Sequence, residues 1–253
     1  MTSFRFLETG HGTAAFNMGL DLAIVEAVAA GAVPPTLRFY CWKPCAVSIG
    51  YFQGVRDEVD LDACAARGIA VVRRVTGGGA VFHDDELTYS IAFPESHPLA
   101  AGSILASYKA ICAGIVAGLG RLGIPAEFAP LNDVVAAGRK LSGNAQTRKR
   151  GCVLQHGTIL LGVDVDQMFA VLRVPAEKMR GKLIEDVKAR VSSCSAMLGR
   201  TVGYPEAVTA FREGFSAGLG VILVDGVPTE AELAAGHREA AERFGDPAWT
   251  TRR

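Results

Sequence analysis

The sequence predicts an α+β fold, a mixed and largely antiparallel β-sheet flanked by helices. Short runs rich in β-branched and aromatic residues, Leu37 to Trp42 and Leu87 to Phe93 among them, are bounded by turn-forming residues as strands are. Longer stretches with apolar residues at helical spacing are grouped around these strands, which disfavours an alternating βαβ array. With 253 residues, 49% of them hydrophobic and 21% charged, the chain is long and apolar enough to bury a full core as one domain. Residues 204–253 are expected to form a small C-terminal α/β extension, with no separate accessory domain.

Thr13 caps a helix in which Phe16, Met18, Leu22, Val25 and Val28 recur up to Gly31, and Pro34-Pro35 then forces the chain out of helix. Leu37 to Trp42 and Ala46 to Gly50 read as strands separated by Lys43-Pro44 and expected to pair with each other. Asp57 to Arg67 is a brief helix, after which Ile69 to Val75, Ala80 to His83 and Leu87 to Phe93 continue the strands as a meander. Ser103 to Leu122 carries Ile104, Tyr108, Ile111, Ile115, Leu119 and Leu122 at helical spacing, and Gly114 and Gly118 predict close packing on the sheet. Val134 to Ala137, Lys140 to Ala145 and Val153 to Val163 read as strands. Met168 to Leu172, Ile184 to Leu198 and Pro205 to Leu219 follow as helices, Val221 to Val224 as a last strand and Glu230 to Phe244 as a last helix.

Lys plus Arg equals Asp plus Glu at 26 each, so no global field holds the chain on nucleic acid or an acidic membrane, and an acidic partner must meet a local patch. Cys41, Cys45, Cys64, Cys112, Cys152 and Cys194 are spread along a chain with no evident secretory leader, which predicts a reducing, cytoplasmic setting. Cys41 and Cys45 lack a second Cys/His pair of matching spacing, so buried thiols are expected there rather than a metal site. No apolar run approaches the roughly 20 residues that span a bilayer.

Gly77, Gly78 and Gly79 lie between two strands and are flanked by Arg73, Arg74, His83 and Asp84. Three glycines in a row cost conformational entropy without packing in return, so a ligand cradle is a stronger reading than a tight turn. The spacing is neither a dinucleotide fingerprint nor a phosphate loop. Arg74 suits a phosphate or carboxylate, and equally a solvated strand edge. Lys140 opens a strand beside Leu-Ser-Gly-Asn-Ala, where small residues leave room for its amine to meet a carbonyl oxygen. Cys152 follows Arg148-Lys149-Arg150-Gly151, and nearby cations favour thiolate; a buried strand thiol after a basic turn satisfies the same pattern. His156 and Gly157 stand where backbone N–H groups suit a developing oxyanion, although a satisfied core histidine is also consistent.

Arg73 to Asp84, Asn132-Asp133, Gly138 to Ala145 and Gln155 to Thr158 together resemble the lipoate/octanoate-protein ligase and transferase superfamily, over nearly the whole chain. The resemblance implies the biotin/lipoate protein ligase (class II synthetase-like) catalytic fold. It also implies a tunnel for an eight-carbon acyl chain lined by the glycine-rich segment, with Lys140 at the acyl carbonyl. The implied substrate-binding residues are Arg74, Gly77, Gly78, Gly79, Ala80, His83, Ser142, Gly143, His156 and Gly157. Because Cys152 occupies the Arg-Gly-Cys position before Gln-His-Gly, the octanoyltransferase branch is favoured.

In that scheme octanoyl-acyl carrier protein acylates Cys152, with Lys140 lowering the thiolate pKa. A lysine of a lipoyl domain or of the glycine-cleavage H protein then takes the group as an amide. No metal and no cofactor is expected, the chain is expected to act as a monomer, and the run Arg139, Lys140, Arg148, Lys149 and Arg150 is the basic patch for acidic partners. Alternatives are an ATP-dependent lipoate ligase, with Asp133 helping to hold Mg²⁺, an amidotransferase between H protein and lipoyl domains, and an accessory acyl-binding module.

Overall fold

The structure, a computed structural model, describes residues 2–173, 185–186 and 189–252. The chain opens with strand β1 (Ser3–Gly12) and helix α1 (Ala14–Ala29), capped by the Thr13 hydroxyl at Phe16 N–H. Then come β2 (Thr36–Trp42), β3 (Ala46–Ile49), α2 (Val55–Glu58), α3 (Leu61–Ala66), β4 (Ala70–Arg73), β5 (Val81–His83), β6 (Glu86–Pro94) and α4 (Ile104–Arg121). The second half holds β7 (Glu127–Ala129), β8 (Asp133–Ala136), β9 (Arg139–Lys149), β10 (Cys152–Leu160), α5 (Val165–Val171), α6 (Cys194–Leu198), α7 (Tyr204–Leu219), β11 (Ile222–Asp225), α8 (Glu230–Glu239) and α9 (Pro247–Thr251). Eight strands form one sheet in the order β11-β1-β2-β6-β10-β9-β8-β7, and β4-β3-β5 form a second, smaller sheet. The large sheet is antiparallel except for the β11-β1-β2 edge, so the predicted α+β class with a mixed, largely antiparallel sheet is what the chain adopts.

Side-chain alternation gives the large sheet two unlike faces. Leu37 and Phe39 of β2, Tyr89, Ile91 and Phe93 of β6 and Val153 and Ile159 of β10 form an apolar core with α4 and α7. Each large side chain buried there contributes about 1.5–3 kcal/mol. The alternate positions, Arg38, Tyr40, Thr88, Ser90 and His156, are also buried but polar, and they face α1. The candidate site is built on this second face.

Several expectations are corrected. Strands β2 and β3 do not pair: β2 lies between β1 and β6, whereas β3 pairs with β4 and β5, so the predicted meander is two sheets. The Asp57 to Arg67 helix is two short ones, divided where Val59 bridges Leu172 and Asp60 caps α3. Gly114 and Gly118 pack on α7 rather than on the sheet, because a Cβ at either would lie within 2.6 Å of Phe215 or Phe211. The predicted Ile184 to Leu198 helix lies partly outside the described residues, and Val191 bridges Lys140 before Ser193 caps α6. The Glu230 to Phe244 helix changes to a π-turn over Ala240–Phe244.

Residues 204–252, expected as a small C-terminal α/β extension, pack into the rest of the molecule. Phe211 and Phe215 of α7 are fully buried in the main core, β11 extends the large sheet and α8 packs on α1. Arg73 donates to the carbonyls of Trp249 and Thr250. Helix α4 has a mean hydropathy of 1.3 and the length of a membrane span, but its glycine face is occupied by α7.

Candidate active site

Asp21, a lone carboxylate on the sheet-facing side of an apolar helix, organises the polar face. It accepts from Arg38 at 2.8 Å, Tyr40 at 3.0 Å and Ser90 at 2.7 Å, and lies 3.3 Å from His156 Nδ1. Burial works against the Asp21 anion, but His156, Arg38 and Ser90 together hold its carboxyl below the ordinary value. His156 is shifted down chiefly by burial, against the pull of Asp21, so its ring is neutral near pH 7. Its Nε2 meets the Thr76 hydroxyl at 2.7 Å, tying the glycine-rich loop to β10.

The loop is held from the other side by Arg74. This buried guanidinium donates to the Ser48 carbonyl at 3.0 Å, the Ser48 hydroxyl at 3.1 Å, and the carbonyls of Gly77 at 2.8 Å and Gly79 at 2.7 Å. Burial pulls its pKa down to about 10. Gly78 has a φ of +94°, and a Cβ on Gly50 would stand 2.0 Å from the Gly78 carbonyl oxygen, so the loop needs glycine for conformation and for close approach. Arg73 points away, gathering the carbonyls of Gly50, Tyr51 and Gln53 and the C-terminal turn.

Next to Arg74, Ser48 Oγ lies 2.7 Å from His83 Nε2, and His83 Nδ1 lies 2.7 Å from Glu86 Oε1. The His83 ring stacks on Trp42 at 4.0 Å. Across the cleft, Lys140 Nζ is 2.7 Å from Asp133 Oδ1, and both side chains are part-exposed. A cavity of about 160 Å³ lies under the glycine-rich loop, lined by Met18, Trp42, Gly78, His83, Ala145 and His156 among others. A second cavity of about 390 Å³ is bordered by Phe82, Leu160, Met168, Phe169 and Leu172. Both are lined by Ala80, Val81, Lys140, Gly143 and Thr158, so Lys140 stands at their junction.

Of the residues singled out in the sequence, Arg74, Gly78, Gly79, Ala80, His83, Lys140, Gly143, His156 and Gly157 line the first cavity. Gly77 contributes its carbonyl to Arg74. Ser142 lines neither cavity: it is fully buried, and its oxygen accepts from Asn144 at 3.3 Å. Gly157 is a mid-strand residue paired with Asn144 and Tyr89, so its N–H belongs to the sheet ladder, not to an oxyanion hole.

Cys152 is not brought to this centre. It pairs with Lys149, nine residues along β9 from Lys140, a separation of roughly 30 Å at the usual strand rise. Its side chain lies in an apolar cluster with Leu7, Leu20, Ile24, Val25 and Leu154. Burial and the nearby Glu95 push its thiol up, the reverse of the expected activation by cations. Those cations are engaged elsewhere: Arg150 with Glu26, Lys149 over the Tyr51 ring and Arg148 at the Ala100 carbonyl. The expected basic patch is therefore split, with Arg139 and Lys140 at one end of β9 and Arg148, Lys149 and Arg150 at and just past the other. No cysteine lines either cavity among the described residues.

Sequence reasoning missed Asp21, Ser48, Glu86 and Asn144. Asp21 did carry a signal, an acid set between Leu20 and Leu22 in an apolar helix, whereas Glu86 closes the acidic run Asp84-Asp85-Glu86 and reads there as part of a solvated turn. Asn144 accepts from Tyr89 OH at 2.6 Å and borders the first cavity.

Residues 13–216 match the family described as the lipoyl protein ligase A/B catalytic domain. The chain is 43% identical over 266 aligned positions to an octanoyltransferase, LipM, of Kyrpidia tusciae, covering 96% of this chain and 95% of that protein. Those positions outnumber the 253 residues here, so the relative carries stretches without a counterpart in this chain. The fold is also similar to a bi-partite lipoate protein ligase from Thermoplasma acidophilum, with a TM-score of 0.88, 29% identity and coverage of 99% and 97% of the two chains. A lipoate-protein ligase A solved with bound ATP superposes with a TM-score of 0.84 at 29% identity, covering 99% of each chain.

Proposed function

The chain belongs to the lipoyl protein ligase A/B catalytic-domain family, and from that premise we propose that it moves an octanoyl group from octanoyl-acyl carrier protein to a lysine of a lipoyl domain or of the glycine-cleavage H protein. It is an acyltransferase, an octanoyltransferase of lipoate biosynthesis. The observation that carries the reading is the meeting of two cavities at Lys140. The octanoyl chain occupies the smaller one, under the glycine-rich loop, and the arm of the donor enters through the larger one. The carbonyl then lies at Lys140, whose ammonium, oriented by Asp133, stabilises the oxyanion as the acceptor amine attacks. A thioester gives an amide without further activation, so this route consumes no ATP and uses no cofactor. The enzyme acts as a monomer, in a cytoplasmic setting that keeps its six free cysteines reduced.

The nucleophile is not assigned to Cys152, because that thiol would have to cross most of the length of β9. The same observation favours a second reading, an ATP-dependent ligase. There Lys140 would bridge acyl and phosphate oxygens and Asp133 would help to hold Mg²⁺, as the likeness to the ATP-bound ligase suggests. The two are separated by supplying an apo lipoyl domain with octanoyl-acyl carrier protein alone, or with octanoate, ATP and Mg²⁺, and recording its intact mass. Octanoylation from the carrier protein without ATP supports the transferase; octanoylation only in the ATP arm replaces it with the ligase.

A further inference from the structure

A lysine amine that attacks the thioester carbonyl of the donor must shed a proton inside the cavity. Lys140 is committed to Asp133 as an ammonium. His156 is wedged between Thr76 and Asp21; Thr76 does not line the cavity, and Asp21 is already neutralised by Arg38. His83 is placed differently. Arg74 Nη1 can only donate, so the Ser48 hydroxyl accepts from it and turns its own hydrogen to His83 Nε2, 2.7 Å away. Nε2 is then an acceptor, and Nδ1–H donates to Glu86 Oε1 at 2.7 Å. Glu86 Oε1 also accepts from Thr88, which in turn accepts from Trp42 Nε1–H at 2.8 Å. Glu86 Oε2 is buried without a hydrogen-bond partner, and no lysine or arginine pairs with it among the described residues. One lone pair of Ser48 remains, and Ser48 and His83 both line the cavity that Lys140 borders.

We propose that Ser48, His83 and Glu86 form a proton relay in which His83, acting through the Ser48 hydroxyl, is the general base for attack of the acceptor lysine. The C–N bond forms as the amine proton passes to Ser48 Oγ and the Ser48 proton to His83 Nε2. The bond from carbonyl carbon to sulfur then breaks, and His83 returns its proton through Ser48 to the departing thiolate, leaving the amide and a thiol. Glu86 holds the ring in one tautomer and balances the imidazolium while it exists. The charged or titratable groups around His83 are Glu86, Arg74 and His156, with Asp84 and Asp85 on the adjoining turn.

The test is the pH–rate profile of transfer by wild type, His83→Gln, Glu86→Gln and Ser48→Ala, each checked for fold by circular dichroism. The relay predicts a 10²- to 10⁴-fold loss in His83→Gln, about the usual worth of general base catalysis, and loss of the acid-side fall in rate. It also predicts rescue of His83→Gly by added imidazole. Should the His83 variants fail to fold, Ser48→Ala keeps the histidine and breaks the relay, with the same loss of the acid limb. A folded His83→Gln or Ser48→Ala enzyme with the wild-type profile and a rate within about threefold overturns the proposal. The inference rests on acyl transfer to a lysine as proposed above. No transfer by the wild type from either donor overturns that reading, whereas an active wild type with insensitive variants overturns only the relay.

Discussion

Replacing Arg74 by methionine separates what the glycine-rich loop needs from what the fold needs. Arg74 donates four hydrogen bonds, two to Ser48 and two to the loop carbonyls of Gly77 and Gly79. Ser48 is buried, so its carbonyl loses a donor that water does not replace, at about 1–3 kcal/mol, while its hydroxyl faces the cavity, where water can serve it. The loop is part-exposed, and water can serve Gly77 and Gly79. Against this, burial holds the guanidinium at about 10 instead of 12.5, a strain on the charged form on the order of 3 kcal/mol that methionine does not carry. The two nearly cancel, so net stability changes by less than about 3 kcal/mol, and Tm by less than about 12 °C. Binding suffers more. If an acyl chain must reorder only two of the three glycines, the cost is about 2–4 kcal/mol, or about 30- to 1,000-fold in apparent affinity. Initial rates against acyl-donor concentration, with a thermal melt of the same preparation, give both quantities. A KM within about threefold of wild type, alongside a Tm loss beyond about 12 °C, would refute the reasoning and make Arg74 a purely structural residue.

Gly157→Ala puts a Cβ 2.1 Å from Asn144 Oδ1 and 2.8 Å from the Gly143 carbonyl oxygen. Overpacking of this kind costs about 1–3 kcal/mol, and the expected Tm loss of about 2–12 °C is read by calorimetry. Stability is also expected to fall on the acid side. His156 is buried with a lowered pKa, so the unfolded chain takes up a proton below about 6.5 that the folded one resists, and stability is lost as pH falls through that range. Asp21, also lowered, contributes stability that is present above its ordinary 3.8 and lost as pH falls through its folded value. Urea unfolding across this pH range should show the decline, and His156→Gln should flatten its upper part.

The long elements were legible because local rules govern them. Thr13, Ser103 and the apolar spacing that follows each define α1 and α4 to within a residue or two. Alternation defined β2, β6 and β10 as strands, but pairing is non-local: nothing near Trp42 says that β2 joins β6 while β3 leaves for a second sheet. Strand β1 is not legible in the sequence because Ser3–Gly12 mixes apolar and charged residues and shows its role only once β2 and β11 flank it. At the site, the glycine triplet and Lys140 declared themselves through residue types that need close approach or an open cavity. Cys152 lies apart from the site because the neighbours that favour a thiolate in sequence are not its neighbours in space. The preceding basic residues diverge around a strand turn, and the long β9 strand carries Lys140 to the far end of the sheet. The Ser48–His83–Glu86 contacts join β3, β5 and β6, and no local pattern announces such a meeting.

The central claim is that acyl transfer occurs where the two cavities meet, at Lys140. The most direct measurement follows the intact mass of an apo lipoyl domain incubated with octanoyl-acyl carrier protein and wild-type, Lys140→Ala or Cys152→Ser enzyme, without ATP. Octanoylation by wild type and Cys152→Ser but not by Lys140→Ala is the predicted result. Octanoylation that survives in Lys140→Ala and is lost in Cys152→Ser would contradict it.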